Sequence, residues 1–194
     1  MSEKKTFHPK KLAASRKEGA KKGQDLSGLE DMGGVRYFHV ALESCDGEFP
    51  LVEEAMAGAN TPVNPNSEER KGGAQNIGKA FFSASQDTLC IYLHVPEAVS
   101  EAKASEAVVT VQEWFEMIIN CLPKGYKVLE SPPKEESFGF AKIEVRRSEC
   151  EGEVFPLKLR DEVIGLGFAF LREKGVVPED DDSSDCELPE GYEW

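Results

Sequence analysis

Apolar side chains recur with two different periods along the middle of the chain, and this alternation limits the folds open to it. In residues 36–44 every second side chain is apolar, which predicts a half-buried strand. In residues 111–122 the apolar side chains follow the helical period and predict an amphipathic helix. Across the whole middle region the two periods predict the element order β-α-β-β-α-(β)-β-α.

Residue types that begin and end elements locate the boundaries. Thr110 and Glu113 are spaced as a capping box, in which each side chain accepts a hydrogen bond from the other residue's free backbone N–H group. Pro156 stands at a favoured first-turn position and predicts the start of the last helix. The predicted strands cover residues 36–44, 79–85, 88–95, 126–130 and 138–146.

This element order predicts an α+β fold with a mainly antiparallel sheet and helices on one face. It is a ferredoxin-like split β-α-β arrangement with an added C-terminal helix. Residues 1–34 are basic and poor in large apolar side chains, so we expect a disordered tail and linker. Residues 35–178 are expected to form a single domain, followed by an acidic disordered tail at 179–194.

Charge is sorted by position along the chain. The net charge is -13, yet residues 1–22 hold eight Lys/Arg and two Glu, whereas residues 179–194 hold eight Asp/Glu and no Lys/Arg. An anionic body repels phosphate, so the basic arm is the clearest handle for nucleic acid. The predicted RNA contacts of the arm are Lys4, Lys5, Lys10, Lys11, Arg16, Lys17, Lys21 and Lys22.

The long segment 60–78 is rich in Pro, Asn and Gly and predicts a loop that offers a contact surface. Residues 73–79 match the first seven positions of a phosphate-binding P-loop, but Ala80 stands where the motif needs Ser or Thr. The motif also leads into a predicted strand instead of a helix, which argues against nucleotide hydrolysis. Arg70, Lys71 and Lys79 are predicted as further phosphate contacts.

No residue pattern predicts catalysis, a metal ion or another cofactor. Cys90 and His94 lie four apart on a predicted strand, about 13 Å from each other by strand rise, which is too far for a thiol–imidazole pair. The five cysteines are widely spaced and are expected to be reduced thiols, and no secretory or membrane segment is evident. These features favour a cytoplasmic protein. An unrecognised enzyme stays an alternative, to be revealed by a pocket with clustered Asp, Glu or Cys.

The acidic C-terminal segment ends in two aromatic residues, Tyr192 and Trp194. A solubilising tail accounts for the acids, but exposed Tyr and Trp are strong interface anchors. The segment is therefore a candidate docking peptide. It supports an alternative function, a protein-interaction adaptor that uses an acidic surface and a Trp-ended tail.

Two resemblances point to RNA. Residues 36–125 resemble the C-terminal RNA-binding domain of alanyl-tRNA synthetases. The shared features are a first strand ending in Asp46 before a helix, Gly78-Lys79 opening a hairpin, and a later helix over 111–122. The glycine-rich end of that domain and the synthetase's catalytic and editing domains are absent, so the resemblance implies a binding module without synthetase activity.

The second resemblance is to the RNA-recognition module. Residues 91–93 and 137–143 stand where its two sheet motifs would lie, and the likeness implies a stacking platform of Tyr92, Phe138 and Phe140. Glu136, Ser137 and Ile143 depart from its pattern, and ordinary strand packing is the alternative for these rings. Together the observations predict a non-enzymatic, translation-related accessory protein that binds RNA or a ribonucleoprotein.

Overall fold

The computed structural model describes residues 7–64, 66, 71–100 and 108–177. Five α-helices and five strands make up this part of the chain. The helices are α1 (Pro9–Gly33), α2 (Phe49–Ala59), α3 (Glu97–Ser100), α4 (Val111–Asn120) and α5 (Pro156–Glu173). The strands are β1 (Tyr37–Leu42), β2 (Gly78–Ala84), β3 (Thr88–Val95), β4 (Lys127–Glu130) and β5 (Gly139–Arg146). Short 3-10 turns cover Ala74–Asn76 and Arg147–Glu149.

The five strands form one open sheet in the order β1-β2-β3-β5-β4. The pair β1 and β2 is parallel, and α2 lies in the connection between them. The other three pairs are antiparallel, including the predicted hairpin of β2 and β3. The predicted α+β class with a mainly antiparallel sheet, of the ferredoxin-like type, is confirmed.

Helices cover both faces of the sheet, and this corrects the prediction of helices on one face only. Ile91 and Phe82 belong to a core that includes Trp114 of α4 and Val163 of α5. On the opposite face, Phe81 packs in a second core with Leu51 of α2 and other α1 and α2 side chains. Successive strand residues point to opposite faces, so the neighbours Phe81 and Phe82 supply both cores.

The predicted disorder of residues 1–34 is wrong for the part that the structure describes. Residues 9–33 form α1, the longest helix of the described chain, and it packs along α2. Its buried residues are Ser15, Gly19, Gly23 and Leu26, so small side chains make most of the contact. Residues 1–6 and the predicted acidic tail at 179–194 lie outside the described residues.

Glycine lets the backbones of α1 and α2 approach one another closely. A β-carbon at Gly19 would stand 1.8 Å from the carbonyl oxygen of Ala55, and one at Gly58 would stand 2.1 Å from that of Arg16. Such contacts need no large apolar side chains, because dispersion between closely packed backbone atoms replaces side-chain burial. This explains how a strongly basic segment is held on the body.

Hydrogen bonds tie α1 to the end of β1 as well. The Glu18 carboxylate accepts from the backbone N–H of Glu43 at 2.7 Å and from that of Ser44 at 3.0 Å. It also accepts a short bond from the Ser44 hydroxyl. A carboxylate that accepts from backbone N–H groups makes a strong charge-assisted contact. Together with the glycine contacts it fixes the rotation of α1 about its own axis.

Candidate nucleic-acid interface

The fixed rotation of α1 places three lysines directly away from the body. At about 100° per residue, Lys10, Lys17 and Lys21 fall within about 40° of one another around the helix axis. Gly19 lies on the opposite side, against α2. We call these three residues the lysine face. It extends about 16 Å along the helix.

The lysines of this face are exposed and make no ion pair with any described residue. The acid nearest to them in sequence is Glu18, whose carboxylate is engaged with the end of β1. Their ammonium groups are therefore available to an external anion. Lys22 is half-buried and lies about 100° around the helix axis from Lys21, so it is not part of the lysine face, and it makes no ion pair with a described residue.

Two other predicted contacts on α1 are held by the body. Lys11 pairs with Asp46 at 2.7 Å, and this hydrogen bond raises its pKa. Arg16 pairs with Glu54 at 3.2 Å. Both pairs are largely exposed, and such pairs contribute little stability. A phosphate would have to compete with these carboxylates, so Lys11 and Arg16 are weaker candidates than the lysine face.

The cations in the first turn of α1 do not stabilise the helix. Lys10 and Lys11 lie in the first turn, and no acidic residue accompanies them there. The helix macrodipole is positive at this end, so cations there cost roughly 0.3–1 kcal/mol each when exposed. Stability of α1 therefore does not account for these two cations, although Lys11 has a carboxylate partner in Asp46.

The structure contradicts the prediction that Lys79 contacts phosphate. Lys79 is fully buried in β2, and its ammonium donates to the carbonyl oxygens of Ala74 at 2.5 Å and Ile77 at 2.9 Å. Burial lowers the pKa of Lys79 to about 7. Its neighbour His94 lies 3.5 Å away, and burial with the nearby Lys79 lowers the pKa of His94 to about 4.

The glycine-rich segment before β2 thus has the polarity opposite to that of a phosphate cradle. A P-loop directs backbone N–H groups at the anion, whereas the carbonyl oxygens of Ala74 and Ile77 converge on the ammonium of the chain's own lysine. The backbone of Gly72 is also engaged, because its N–H donates to Ala20 of α1. The prediction that Lys71 binds RNA stays a prediction, and its side chain is half-buried.

Five further predicted site residues lie outside the described residues: Lys4, Lys5, Arg70, Tyr192 and Trp194.

Two of the three predicted stacking rings do meet. Tyr92 and Phe140 make an edge contact with ring centroids 6.1 Å apart, and Lys142 lies over both rings at 5.2 and 5.6 Å. Lys142 also pairs with Glu53 and Glu130, at 2.7 and 3.2 Å. The carboxylates compensate the charge of Lys142, so this surface is poorly suited to a phosphate backbone. Phe138 lies just before β5 and is partly buried.

Sequence reasoning missed a polar pair in the core. The indole nitrogen of Trp114 donates to Nε2 of His39 at 2.9 Å, and Phe168 lies against the imidazole with centroids 5.3 Å apart. Burial lowers the pKa of His39 to about 3. The ring is therefore neutral at pH 7 with its proton on Nδ1, and that atom has no partner among the described residues. Alternation predicted a half-buried strand with His39 on the face opposite Phe38, Val40 and Leu42, but β1 is buried on both faces, and the Trp partner of His39 lies 75 residues away.

The described residues contain no group of three or more His, Cys, Asp or Glu side chains that could hold a metal ion. Their four cysteines are free thiols. Burial raises the pKa of Cys45 and Cys90, which makes both thiols poor nucleophiles. Within the described chain no helix has the length and apolar character needed to cross a membrane.

Two adjacent surface cavities flank the start of α5. Their volumes are about 340 and 380 Å³, and Phe155 and Lys158 line both. Phe155 is half exposed, with the Arg147 guanidinium 5.2 Å from its ring centroid. The cavity of about 340 Å³ is also lined by Cys121, Glu153 and Glu162, whereas no Asp, Glu or Cys lines the described part of the other cavity. Burial raises the pKa of Cys121, which makes this thiol a poor nucleophile. The alternative of an unrecognised enzyme therefore stays a prediction.

No family model, curated protein or solved structure matches this chain. The two resemblances to RNA-binding domains therefore stay predictions.

Proposed function

We propose that this protein is a non-enzymatic, translation-related accessory protein that binds RNA or a ribonucleoprotein through the lysine face of α1. The observation that carries the proposal is the exposure of Lys10, Lys17 and Lys21 on one side of a helix whose other side is clamped to α2. An ordered row of cations contacts a phosphate backbone without first having to fold, so little ordering entropy opposes binding.

The anionic remainder of the protein is consistent with this role. Residues 23–178 carry 15 Lys/Arg and 26 Asp/Glu. Such a body repels phosphate and restricts nucleic acid to the lysine face, which favours one binding orientation. Contacts of this kind position a backbone and carry no sequence information. We therefore expect weak sequence preference.

Binding of a fluorescent oligouridylate to the full chain tests the proposal. The variant K10Q/K17Q/K21Q should bind much more weakly at low salt. A matched variant, K124Q/K127Q/K158Q, removes the same charge from exposed lysines elsewhere and should bind like the wild type. Equal weakening by both variants would show that only total charge matters, and the proposal would fail.

The adaptor function is a second candidate, favoured by the exposed apolar side chains at the start of α5. Phe155 and Leu157 are each about half exposed beside the two cavities. Exposed aromatic and aliphatic side chains beside a cavity are typical of protein contacts. Affinity purification with and without nuclease separates the two functions. Partners that persist after nuclease and high salt, and disappear with Phe155→Ser, would favour the adaptor.

A further inference from the structure

A third surface cavity lies between α1 and the loop that precedes β2. Its volume is about 310 Å³. The described part of its lining consists of Gln24, Ser27, Gly28 and Asp31 of α1 with Val63 and Gly72 of the loop. Sites for small organic molecules are concave and begin at roughly 300 Å³. The cavity is therefore large enough for a single planar ring system such as a nucleobase.

Backbone hydrogen bonds hold the loop side of this cavity in place. Gly72 N–H donates to the carbonyl oxygen of Ala20 at 2.8 Å, and Gly73 N–H donates to that of Thr61 at 2.9 Å. A β-carbon at Gly72, whose φ is 84°, would stand 2.0 Å from the Thr61 carbonyl oxygen. Glycine adopts this left-handed conformation readily and lets the loop backbone come against α1. The wall is thus set by backbone contacts.

The polar side chains that line the cavity on α1 have no partner in the described chain. Gln24 and Asp31 are exposed and Ser27 is half-buried, and none of the three side chains makes a hydrogen bond or ion pair with a described residue. The carboxylate of Asp31 only accepts hydrogen bonds, whereas the amide of Gln24 and the hydroxyl of Ser27 also donate them. Donors and acceptors for a polar ligand are therefore present together.

The cavity continues the lysine face along the same side of α1. At about 100° per residue, Gln24 and Gly28 fall within about 40° of Lys10 around the helix axis. Ser27 lies about 9 Å beyond Lys21 along the axis. One nucleotide spans this distance between its phosphate and the far edge of its base. A single strand whose phosphates contact Lys17 and Lys21 therefore brings a neighbouring base to the cavity.

We propose that the cavity binds one unpaired guanine base of the RNA strand on the lysine face, an inference that rests on the proposed function. Guanine is the RNA base whose Watson–Crick edge carries two adjacent N–H donors, at N1 and N2, and these match the two oxygens of the Asp31 carboxylate. Gln24 or Ser27 donates to guanine O6. The lysine face positions the backbone, and the cavity adds sequence preference at a single nucleotide.

Other ligands suit the cavity less well. Asp31 is the one acid in the described lining, whereas hard cations such as Ca²⁺ take six to eight oxygen ligands. A phosphate would be repelled by the same carboxylate. An apolar ligand would bury Ser27 and its polar neighbours without hydrogen bonds, which is costly. A neutral ring with N–H donors on one edge avoids all three problems.

Binding of three fluorescent heptamers, UUUGUUU, UUUAUUU and UUUUUUU, tests the inference on the full chain. We expect UUUGUUU to bind at least about 5-fold more tightly than the other two, as one bidentate base contact provides. Asp31→Asn should remove this preference, because its amide presents a donor where guanine needs an acceptor. The matched control Asp25→Asn makes the same charge change at an exposed site outside the described lining and should keep the preference. Equal affinities for the three heptamers, or a guanine preference that survives Asp31→Asn, would overturn the inference.

A second measurement separates this inference from the proposed function. Titration with GMP and UMP, which share their phosphate group, should shift the backbone amide NMR signals of Ser27, Gly28 and Gly72 for GMP alone, and Asp31→Asn should abolish the shifts. Lysine-dependent heptamer binding without guanine preference or GMP shifts would overturn the inference and leave the proposed function standing. GMP shifts at the cavity of a chain that binds no heptamer would uphold the guanine site and overturn the proposed function.

Discussion

Gly19 of α1 lies against Ala55 of α2 so closely that a β-carbon at Gly19 would stand 1.8 Å from the Ala55 carbonyl oxygen. Through this contact α1, whose composition is that of a solvated tail, packs on the rest of the fold. The contact also sets which side of α1 faces solvent. The lysine face depends on it.

The first prediction concerns this contact. Gly19→Ala should lower the free energy of unfolding by roughly 1–3 kcal/mol, because the added methyl group overlaps the backbone of α2. The matched control is Gly28→Ala in the same helix, where a β-carbon meets nothing within 4 Å. That change should raise stability by roughly 0.5–1 kcal/mol through helix propensity. Urea unfolding of both variants checks this, and equal effects would contradict the close approach.

The second prediction uses the same design on α5. A β-carbon at Gly167 would stand 2.2 Å from Nε2 of His39, whereas one at Gly165 meets nothing within 4 Å. Gly167→Ala should displace the imidazole from Trp114 and cost roughly 1–3 kcal/mol. Gly165→Ala should be neutral or stabilising. Thermal unfolding separates the two, and a Gly167→Ala protein as stable as Gly165→Ala would contradict the close packing of Gly167 on His39.

The third prediction follows from the buried His39. Its pKa is about 3 in the folded protein against 6.5 for an ordinary histidine. Between these values the unfolded chain binds the extra proton, so stability is fully present above pH 6.5 and falls as pH drops towards 3. His39 alone contributes a loss of up to about 1.4 kcal/mol per pH unit.

Urea unfolding between pH 4 and pH 7 measures this contribution. His39→Phe should flatten the decline, whereas His8→Asn, which removes an exposed imidazole and keeps a helix-capping side chain, should leave it unchanged. The buried His94 adds a decline of its own, so His39→Phe should not abolish it. An identical pH profile for wild type and His39→Phe would contradict the buried, neutral ring.

The fourth prediction concerns Lys79. Its pKa is about 7 when folded and 10.5 ordinarily, so between these values the unfolded chain holds the extra proton. This group therefore makes stability rise as pH rises from 7 to 10.5, by up to about 1.4 kcal/mol per unit. Lys79→Met should remove that rise relative to the wild type, whereas Lys124→Met, at an exposed site, should not. If the difference in unfolding free energy between the wild type and each variant does not change with pH for either variant, the lowered pKa of a buried Lys79 is contradicted.

Much of the fold was readable because local signals agreed with the tertiary structure. The predicted capping box forms as expected, with Glu113 N–H donating to Thr110 at 3.2 Å and Thr110 N–H donating to Glu113 at 3.0 Å. The strands of the hairpin were predicted from apolar runs, and the side chains of these runs pack in the two cores of the sheet. Signals of this kind lie within a few residues of the element they define.

The helix that carries the candidate site was not readable in the same way. Hydrophobic periodicity detects large apolar side chains, whereas α1 is held through Gly19 and Gly23 against Ala55 and Ala59. A signal did exist, since small residues recur at four-residue spacing in both α1 and α2. The sequence shows where the lysines lie along the chain. It does not show that three of them share one side of α1, because this depends on α1 being a helix that packs on α2.

Lys79 shows a second limit. A lysine at the start of a predicted strand, directly after a glycine-rich loop, is expected to be exposed. In the structure its ammonium is satisfied by two backbone carbonyl groups, those of Ala74 and Ile77. Which carbonyl groups point inward depends on the backbone path of the loop, and residue types alone do not specify that path.

The salt dependence of RNA binding tests the central claim most directly. Each phosphate contact on single-stranded RNA contributes about 0.7 to the slope of log Kobs against log salt concentration. K10Q/K17Q/K21Q should therefore reduce the magnitude of the wild-type slope by about 2, whereas K124Q/K127Q/K158Q should leave it unchanged. A slope that is the same in the wild type and in K10Q/K17Q/K21Q would contradict the claim that the lysine face of α1 binds phosphate.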